Sequence, residues 1–139
     1  MKYPATFTPD AEAGGFVVTF RDIPEAITQG DDENDAMFMA RDVLLASMSV
    51  YFDEKRSVPA PSKPKAGERL VDLPLSVAAK ILLLNEMIAK EIGPSALARM
   101  MDTSPQEVNR LINLGHTTKI DRIEEAMIAL GRELELSIA

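Results

Sequence analysis

The 139-residue sequence lacks cysteine and tryptophan and contains a single histidine, His116. Without cysteine the chain has no disulfide framework, no thiolate metal site and no thiol nucleophile. One histidine cannot build a multi-histidine metal site. Basic residues are in deficit, with 15 Lys and Arg against 22 Asp and Glu, which disfavours a general polyanion binder but leaves room for a local nucleic-acid contact. These absences favour a binding or regulatory protein without metal or cofactor over an enzyme.

Long apolar runs are also missing, and the first residues do not form a basic, apolar leader. We therefore expect a soluble, cytoplasmic protein with no membrane partner. Hydrophobic residues make up 46% of the chain, which is enough to build a core and excludes a wholly disordered protein. The length suits one ordinary domain or two small ones.

A proline-rich stretch divides the pattern of the chain. Pro59, Pro61 and Pro64 fall within eleven residues, 56–66, and proline favours an extended segment because it fixes φ and removes a hydrogen-bond donor. The sequence thus predicts a first domain at residues 1–57, a linker at 58–68 and a second domain at 69–139.

The first half has the pattern of an antiparallel sheet covered by one helix. Alternating apolar residues predict strands at 2–8, 16–21 and 26–29, and a helix follows from about residue 31 to 53. One stripe of that helix is predicted to pack on the sheet, and it consists of Met37, Ala40, Leu44, Met48 and Tyr51.

The second half is mainly helical. Predicted elements are a short strand at 70–73, helices at 76–91, 95–101, 105–113 and 121–130, and a terminal strand that carries Leu134, Leu136 and Ile138. The whole chain is therefore predicted to be α+β, with an all-α second domain apart from its short strands.

The most specific motif lies at residues 95–111, where two short helices meet at a tight turn. Ser104, Pro105 and Glu107 have the spacing of an N-cap, a first-turn proline and a capping-box acid. Asp102 stands where such turns usually have glycine, and aspartate tolerates left-handed backbone better than most residues. The spacing resembles the DNA-binding helix-turn-helix, in which the second helix enters the major groove.

This resemblance indicates two sets of candidate DNA contacts. Gln106, Asn109 and Arg110 face outward on the second helix and suit base edges or phosphate. Residues in nearby turns that suit phosphate contacts are Thr103, Ser104, Thr117, Thr118 and Lys119. Residues 95–120 carry only three basic against two acidic side chains, so DNA binding needs a two-fold arrangement that doubles the contacts. The other interpretation is a plain helical domain that binds no nucleic acid.

Several segments resemble the HicB antitoxin family. They include Y-P-A-T-F-T-P at residues 3–9, D-I-P-E-A-I-T-Q-G at 22–30, P-L-S-V-A-A-K-I-L-L-L-N-E at 74–86 and T-T-K-I-D at 117–121. The resemblance covers nearly the whole chain. It implies an N-terminal domain of partial ribonuclease-H-like fold that inhibits HicA, a small basic mRNA-cleaving toxin, and a C-terminal domain that represses the shared operon. The acidic balance of the chain would steer association with a basic toxin.

The resemblance leaves the toxin-facing residues open. Acidic candidates in the first half are Asp22, Asp31, Asp32, Glu33 and Asp35. The four acids from residue 31 onward have a second interpretation, because negative charge at the start of a helix complements its dipole. His116 follows the second helix of the motif, where a capping or phosphate-side role is favoured over a general base.

The second domain is also expected to carry self-association. The alternating tail at residues 133–139 cannot form an isolated strand, so it must pair with residues 71–73 or with the tail of another chain. We therefore expect a homodimer through residues 69–139, or a tetramer.

Two other classes of function remain open at this point. One is a stand-alone DNA-binding regulator whose first half senses a ligand or partner. The other is a metal-dependent ribonuclease, for which the only acids near strands are Asp10, Glu12 and Asp22. The last is disfavoured, because turn positions explain these acids without chemistry.

Overall fold

Four short strands form one antiparallel sheet in the computed structural model, which describes all residues from 1 to 139. The strands are β1 (Lys2–Pro9), β2 (Phe16–Phe20), β3 (Ile27–Gly30) and β4 (Arg69–Asp72), in the order β3-β2-β1-β4. The helices are α1 (Glu33–Glu54), α2 (Leu75–Ala89), α3 (Pro94–Met101), α4 (Pro105–Leu111) and α5 (Ile120–Ala129). These nine elements lie within two residues of their predicted ends, and the predicted α+β class is confirmed.

The chain divides into two compact units. The sheet unit comprises Met1–Tyr51 and Val58–Pro74, and the helical unit comprises Phe52–Ser57 and Leu75–Ala139. None of the helices combines the length and apolar character that a membrane crossing requires.

The β1–β2 hairpin depends on two glycines with positive φ, Gly14 and Gly15. Asp10 stabilises the same turn, because its carboxylate accepts hydrogen bonds from the backbone N–H of Glu12 and Ala13, both at 3.1 Å. Gly15 also lies against β3, where a Cβ atom would stand 2.1 Å from the carbonyl oxygen of Gly30. The hairpin and the end of β3 therefore meet through backbone, which no larger residue would allow.

Helix α1 buries the predicted stripe. Ala40, Leu44, Met48 and Tyr51 are buried, and Met37 is half-buried. The Tyr51 hydroxyl donates to a carboxylate oxygen of Glu25 at 2.7 Å, which ties this helix to the turn before β3. The stripe and the inward residues of the strands form the core of the sheet unit.

The predicted boundaries between the two domains differ from the division into two compact units that the structure shows. Strand β4 pairs antiparallel with β1, from Lys2 opposite Asp72 to Ala5 opposite Arg69, so residues 69–72 belong to the sheet and not to the second unit. The predicted linker is extended but packs on the sheet unit, with Val58 only 2% exposed. It lies within the sheet unit because it must return the chain from α1 to the free edge of β1.

Side chains of the sheet unit hold the predicted linker, residues 58–68, along its length, and we call this segment the connector. The Tyr3 hydroxyl donates to the Pro59 carbonyl oxygen at 2.6 Å, and burial raises the pKa of Tyr3 to about 12. Arg21 donates to the Lys63 carbonyl oxygen at 2.5 Å and binds both carboxylate oxygens of Glu68. The connector is thus a structural part of the sheet unit.

In the helical unit, α2 to α5 enclose a core of aliphatic side chains. Its fully buried members include Ile81, Leu83, Leu84, Leu97, Leu111 and Ile123. The predicted terminal strand is wrong for the single chain, since residues 132–139 have no regular secondary structure and Leu136 and Ile138 are almost fully exposed. One of its two proposed partners, residues 71–73, overlaps edge strand β4, which pairs with β1 and with no residue of the tail.

Candidate functional site

A tight turn joins α3 to α4 and sets the direction of the second helix. Asp102 ends α3 in the left-handed conformation, at φ 54° and ψ 50°, as its position in the motif predicts. The N–H of Thr103 donates to the Ala98 carbonyl oxygen at 2.9 Å and so satisfies a carbonyl at the end of α3. Asp102 thus takes the place of the glycine that such turns commonly have.

Helix α4 begins with the predicted cap. The Ser104 hydroxyl accepts a hydrogen bond from the N–H of Glu107 at 3.2 Å, and Pro105 occupies the first helical position, where no N–H is needed. The Glu107 carboxylate does not complete a capping box but accepts a hydrogen bond from Arg110 Nη1 at 2.7 Å. Arg110 is therefore partly neutralised, although its side chain remains 56% exposed.

The predicted base-reading residues share the exposed side of α4. Gln106, Asn109 and Arg110 are exposed, whereas Val108 and Leu111 face the core. This separation gives α4 one polar outer face that is free to meet a partner.

The predicted phosphate-side residues lie at both ends of α4. Thr103 and Ser104 stand at its beginning, and the Thr118 hydroxyl lies 3.5 Å from the Arg110 carbonyl oxygen at its end. Thr117 and Lys119 are exposed on the segment that leads into α5. The structure thus brings Thr118 to the end of α4, while Thr117 and Lys119 flank it along the chain.

Sequence reasoning missed Lys80, which is the main support of this region. Lys80 lies on α2 and is 3% exposed, and its Nζ donates to three carbonyl oxygens, those of Arg110 at 3.2 Å, Asn113 at 2.7 Å and His116 at 2.5 Å. Burial lowers the pKa of the Lys80 ammonium. These bonds fix the end of α4 and the loop after it, because one buried ammonium on α2 donates to three carbonyls there, in addition to the backbone N–H groups of Asn113 and His116 that donate within the loop.

His116 lies exposed in that loop. Its Nδ1 is 3.1 Å from the Thr118 hydroxyl oxygen, and its backbone carbonyl accepts from Lys80. Of the two roles weighed from the sequence, a capping or phosphate-side residue and a general base, these contacts fit the first.

The acidic candidates of the sheet unit fall into two separate places. Asp32 accepts a hydrogen bond from the N–H of Asp35, and Asp35 accepts one from the N–H of Asp31, both at 2.8 Å, so these carboxylates cap the start of α1. Asp31, Asp32 and Glu33 are nevertheless exposed. Their capping contacts fit the helix-dipole interpretation and leave exposed carboxylates for a partner.

Asp22 stands apart from that cluster, at the opposite end of the β2–β3 pair. Its carboxylate accepts hydrogen bonds from the N–H and the hydroxyl of Ser62, at 2.8 Å and 2.6 Å. This carboxylate therefore holds the connector. Across the structure, no three Asp, Glu, His or Cys side chains form a group that could hold a metal ion.

Comparison with known proteins relates the whole chain to one family. A family model described as "HicB_like antitoxin of bacterial toxin-antitoxin system" matches residues 2–82, which include the sheet, α1 and the first half of α2. The chain is 46% identical over 136 residues to Antitoxin HicB of Escherichia coli (strain K12), which covers 98% of both chains.

Two further relatives give the same result. Antitoxin HicB 2 of Photorhabdus laumondii subsp. laumondii is 46% identical over 136 residues, with 98% of this chain and 95% of that protein covered. Antitoxin HicB of Pseudomonas fluorescens (strain Pf0-1) is 32% identical over 131 residues, with 91% and 88% covered. The similarity therefore extends through the helical unit as well as the sheet unit.

Proposed function

The chain belongs to the HicB-like antitoxin family of bacterial toxin–antitoxin systems, and from this premise we propose that it binds and neutralises a HicA-type toxin that cleaves mRNA. The single observation that carries the proposal is the near-full-length similarity to proteins named Antitoxin HicB. The acidic chain, at net charge −7, is electrostatically suited to a basic partner.

We propose further that neutralisation works by covering the toxin and involves no catalysis by this chain. Two of the acids considered for a nuclease have structural contacts. Asp10 binds the N–H groups of the β1–β2 turn, and Asp22 binds Ser62 of the connector. An antitoxin of this kind needs only a complementary surface.

The second proposed activity is repression of the operon through α3, the turn and α4, as a helix-turn-helix. It is supported by the left-handed turn at Asp102, the Ser104 cap and the exposed polar side of α4. In this arrangement Gln106, Asn109 and Arg110 contact base edges or phosphate, and the residues that position the helix on phosphates are Thr103, Ser104, Thr117, Thr118 and Lys119. Because both proposed partners, mRNA-cleaving toxin and operator DNA, occur in the cytoplasm, we expect the chain to act there.

We propose that the chain binds operator DNA as a homodimer through the helical unit. Few basic residues flank α4, so one copy offers too few phosphate contacts for tight binding. The exposed apolar tail, with Leu136 and Ile138, supplies a surface for pairing with a second copy. Two copies related by a two-fold axis would contact half-sites about 34–36 Å apart.

Two assays test the two activities in the same cells. Expression of the HicA-type toxin encoded beside this chain should stop growth, and co-expression of the chain should restore it. A reporter driven by the promoter of the same operon should be repressed by the chain alone. Growth arrest that persists with the folded chain present would contradict neutralisation, and an unchanged reporter would contradict repression.

A further inference from the structure

The side of α1 that faces away from the sheet carries apolar side chains that the fold does not use. We call this surface the α1 outer face and define it by Phe38, Asp42, Leu45 and Ser49, which lie opposite the buried stripe at helical spacing. Phe38 is 67% exposed and Leu45 is 37% exposed. A helix with one buried stripe normally has polar residues on its far side, so these two residues need another explanation.

Phe38 is the more informative of the two. Of the aromatic side chains in the chain it is the one with a large exposed surface, since Tyr3, Phe20, Tyr51 and Phe52 are buried and Phe7 and Phe16 are partly covered. Aromatic residues, phenylalanine included, are enriched in the buried centres of protein interfaces relative to the rest of the protein surface. Phe38 therefore marks this face as an interaction surface.

The charge around the α1 outer face restricts the partner. Helix α1 contains five acidic residues and one basic residue, and Asp31 and Asp32 precede it directly. The basic residue, Arg41, is already paired with Asp72 at 3.2 Å. An apolar centre with an acidic rim repels nucleic acid and repels a second copy of itself, whereas it complements a protein with lysines and arginines around an apolar pocket.

We propose that the α1 outer face is the docking surface for the basic toxin, with Phe38 as the anchor in an apolar pocket of the toxin. Leu45 extends the apolar contact by two helical turns, and Asp42 faces basic side chains at the rim. This proposal rests on the proposed function and moves the main contact from the capping acids to the middle of α1. The capping acids Asp31, Asp32 and Glu33 then contribute long-range attraction.

A binding titration between the full chain and the purified HicA-type toxin tests this proposal. Phe38→Ala should raise the dissociation constant by roughly tenfold or more, because a central aromatic anchor dominates binding energy. Its melting temperature should stay at the wild-type value, since Phe38 makes little contact with the core. Ile128→Ala on α5, where the side chain is 62% exposed, is the matched control and should bind the toxin as wild type does.

A charge variant tests the rim independently. Asp42→Asn should slow association and reduce its dependence on salt, with a smaller effect on dissociation. Wild-type binding by Phe38→Ala would overturn the docking surface and leave the proposed function intact. Loss of self-association in Phe38→Ala, with toxin binding retained, would assign this face to a second copy and overturn the proposal. A wild-type chain that does not bind the toxin would overturn the proposed function and this inference together.

Discussion

Arg110 and Arg132 offer a matched pair at the scale of single residues. Their side chains are 56% and 58% exposed, and each forms an ion pair with a glutamate, Glu107 and Glu86 respectively. Only Arg110 lies on the exposed side of α4. We predict that Arg110→Ala weakens operator binding by about 1–3 kcal/mol, because it removes a base or phosphate contact.

Fluorescence anisotropy with operator DNA measures this effect, and Arg132→Ala is the control that should bind normally. Toxin neutralisation should be unchanged in both variants. Equal weakening by the two substitutions would mean that α4 has no special role in DNA binding.

Lys80 gives a second prediction at the same scale. Lys80→Met keeps the length of the side chain but removes the buried ammonium that donates to the carbonyl groups of Arg110, Asn113 and His116. We expect a loss of about 2 kcal/mol in the free energy of unfolding and a lower affinity for operator DNA. Lys90→Met, at an exposed position after α2, is the control. Wild-type stability of Lys80→Met in denaturant titration would show that these three bonds are dispensable.

The residue types around α4 predicted its turn and its cap, but they did not predict the support that Lys80 of α2 gives to its end. Ser104, Pro105 and Asp102 have local roles, and local spacing is sufficient to predict them. The contacts of Lys80 span 30 to 36 residues of sequence, so no local pattern contains them. Its one signal was its place as the single basic residue in the apolar stripe of α2.

Among the secondary-structure elements, the junction of β3 and α1 depends on a glycine. A Cβ atom on Gly30 would lie 2.3 Å from the backbone N of Ala36, and backbone cannot move aside cheaply. We predict that Gly30→Ala lowers the free energy of unfolding by about 2–4 kcal/mol. Gly93→Ala is the control, because nothing lies within 4 Å of its Cβ position and its φ of −82° suits alanine. Similar melting temperatures for the two variants would contradict the close approach.

The connector gives a prediction with a defined pH dependence. The hydrogen bond from Arg21 holds the pKa of Glu68 below its ordinary value of 4.5. Between the lowered pKa and pH 4.5, the unfolded chain therefore binds more protons than the folded chain. The stabilisation that the Arg21–Glu68 pair contributes is complete above pH 4.5 and is lost as the pH falls through the lowered pKa.

Melting temperatures between about pH 6 and pH 3 test this dependence. We predict a smaller decrease in Glu68→Gln than in the wild type, whereas Glu12→Gln, in the β1–β2 turn, should follow the wild type. If the melting temperature of Glu68→Gln fell with pH as much as that of the wild type, the Arg21–Glu68 pair would not contribute to stability.

Local sequence patterns predicted the positions of the helices and strands well, but they predicted poorly which unit each of them joins. Alternation and helical spacing are properties of a few neighbouring residues, and they located β4 within one residue. Which strand β4 joins is decided by a pairing with β1 that is almost seventy residues away. The prolines correctly predicted an extended connector, but its anchors, Asp22 and Arg21, are polar residues of a distant turn.

For the molecule as a whole, we predict that substitutions in the tail remove self-association and weaken operator binding with it. Leu136→Lys with Ile138→Lys should convert a dimer into a monomer, because the exposed apolar tail is the proposed contact between copies. Operator affinity should fall with it, since a monomer reaches only one half-site. Light scattering measures the change, and Glu133→Gln is the control. A dimer that survives the double substitution would assign dimerisation to another surface.

The most direct test of the account is the interaction between this chain and the HicA-type toxin that we propose as its partner. We would purify the wild-type chain from cells that co-express the toxin and analyse the product by size-exclusion chromatography with light scattering. The account predicts a stable complex that contains both proteins and keeps the cells growing. A chain that elutes without the toxin, while still binding operator DNA with a steep salt dependence, would contradict it and indicate a stand-alone regulator.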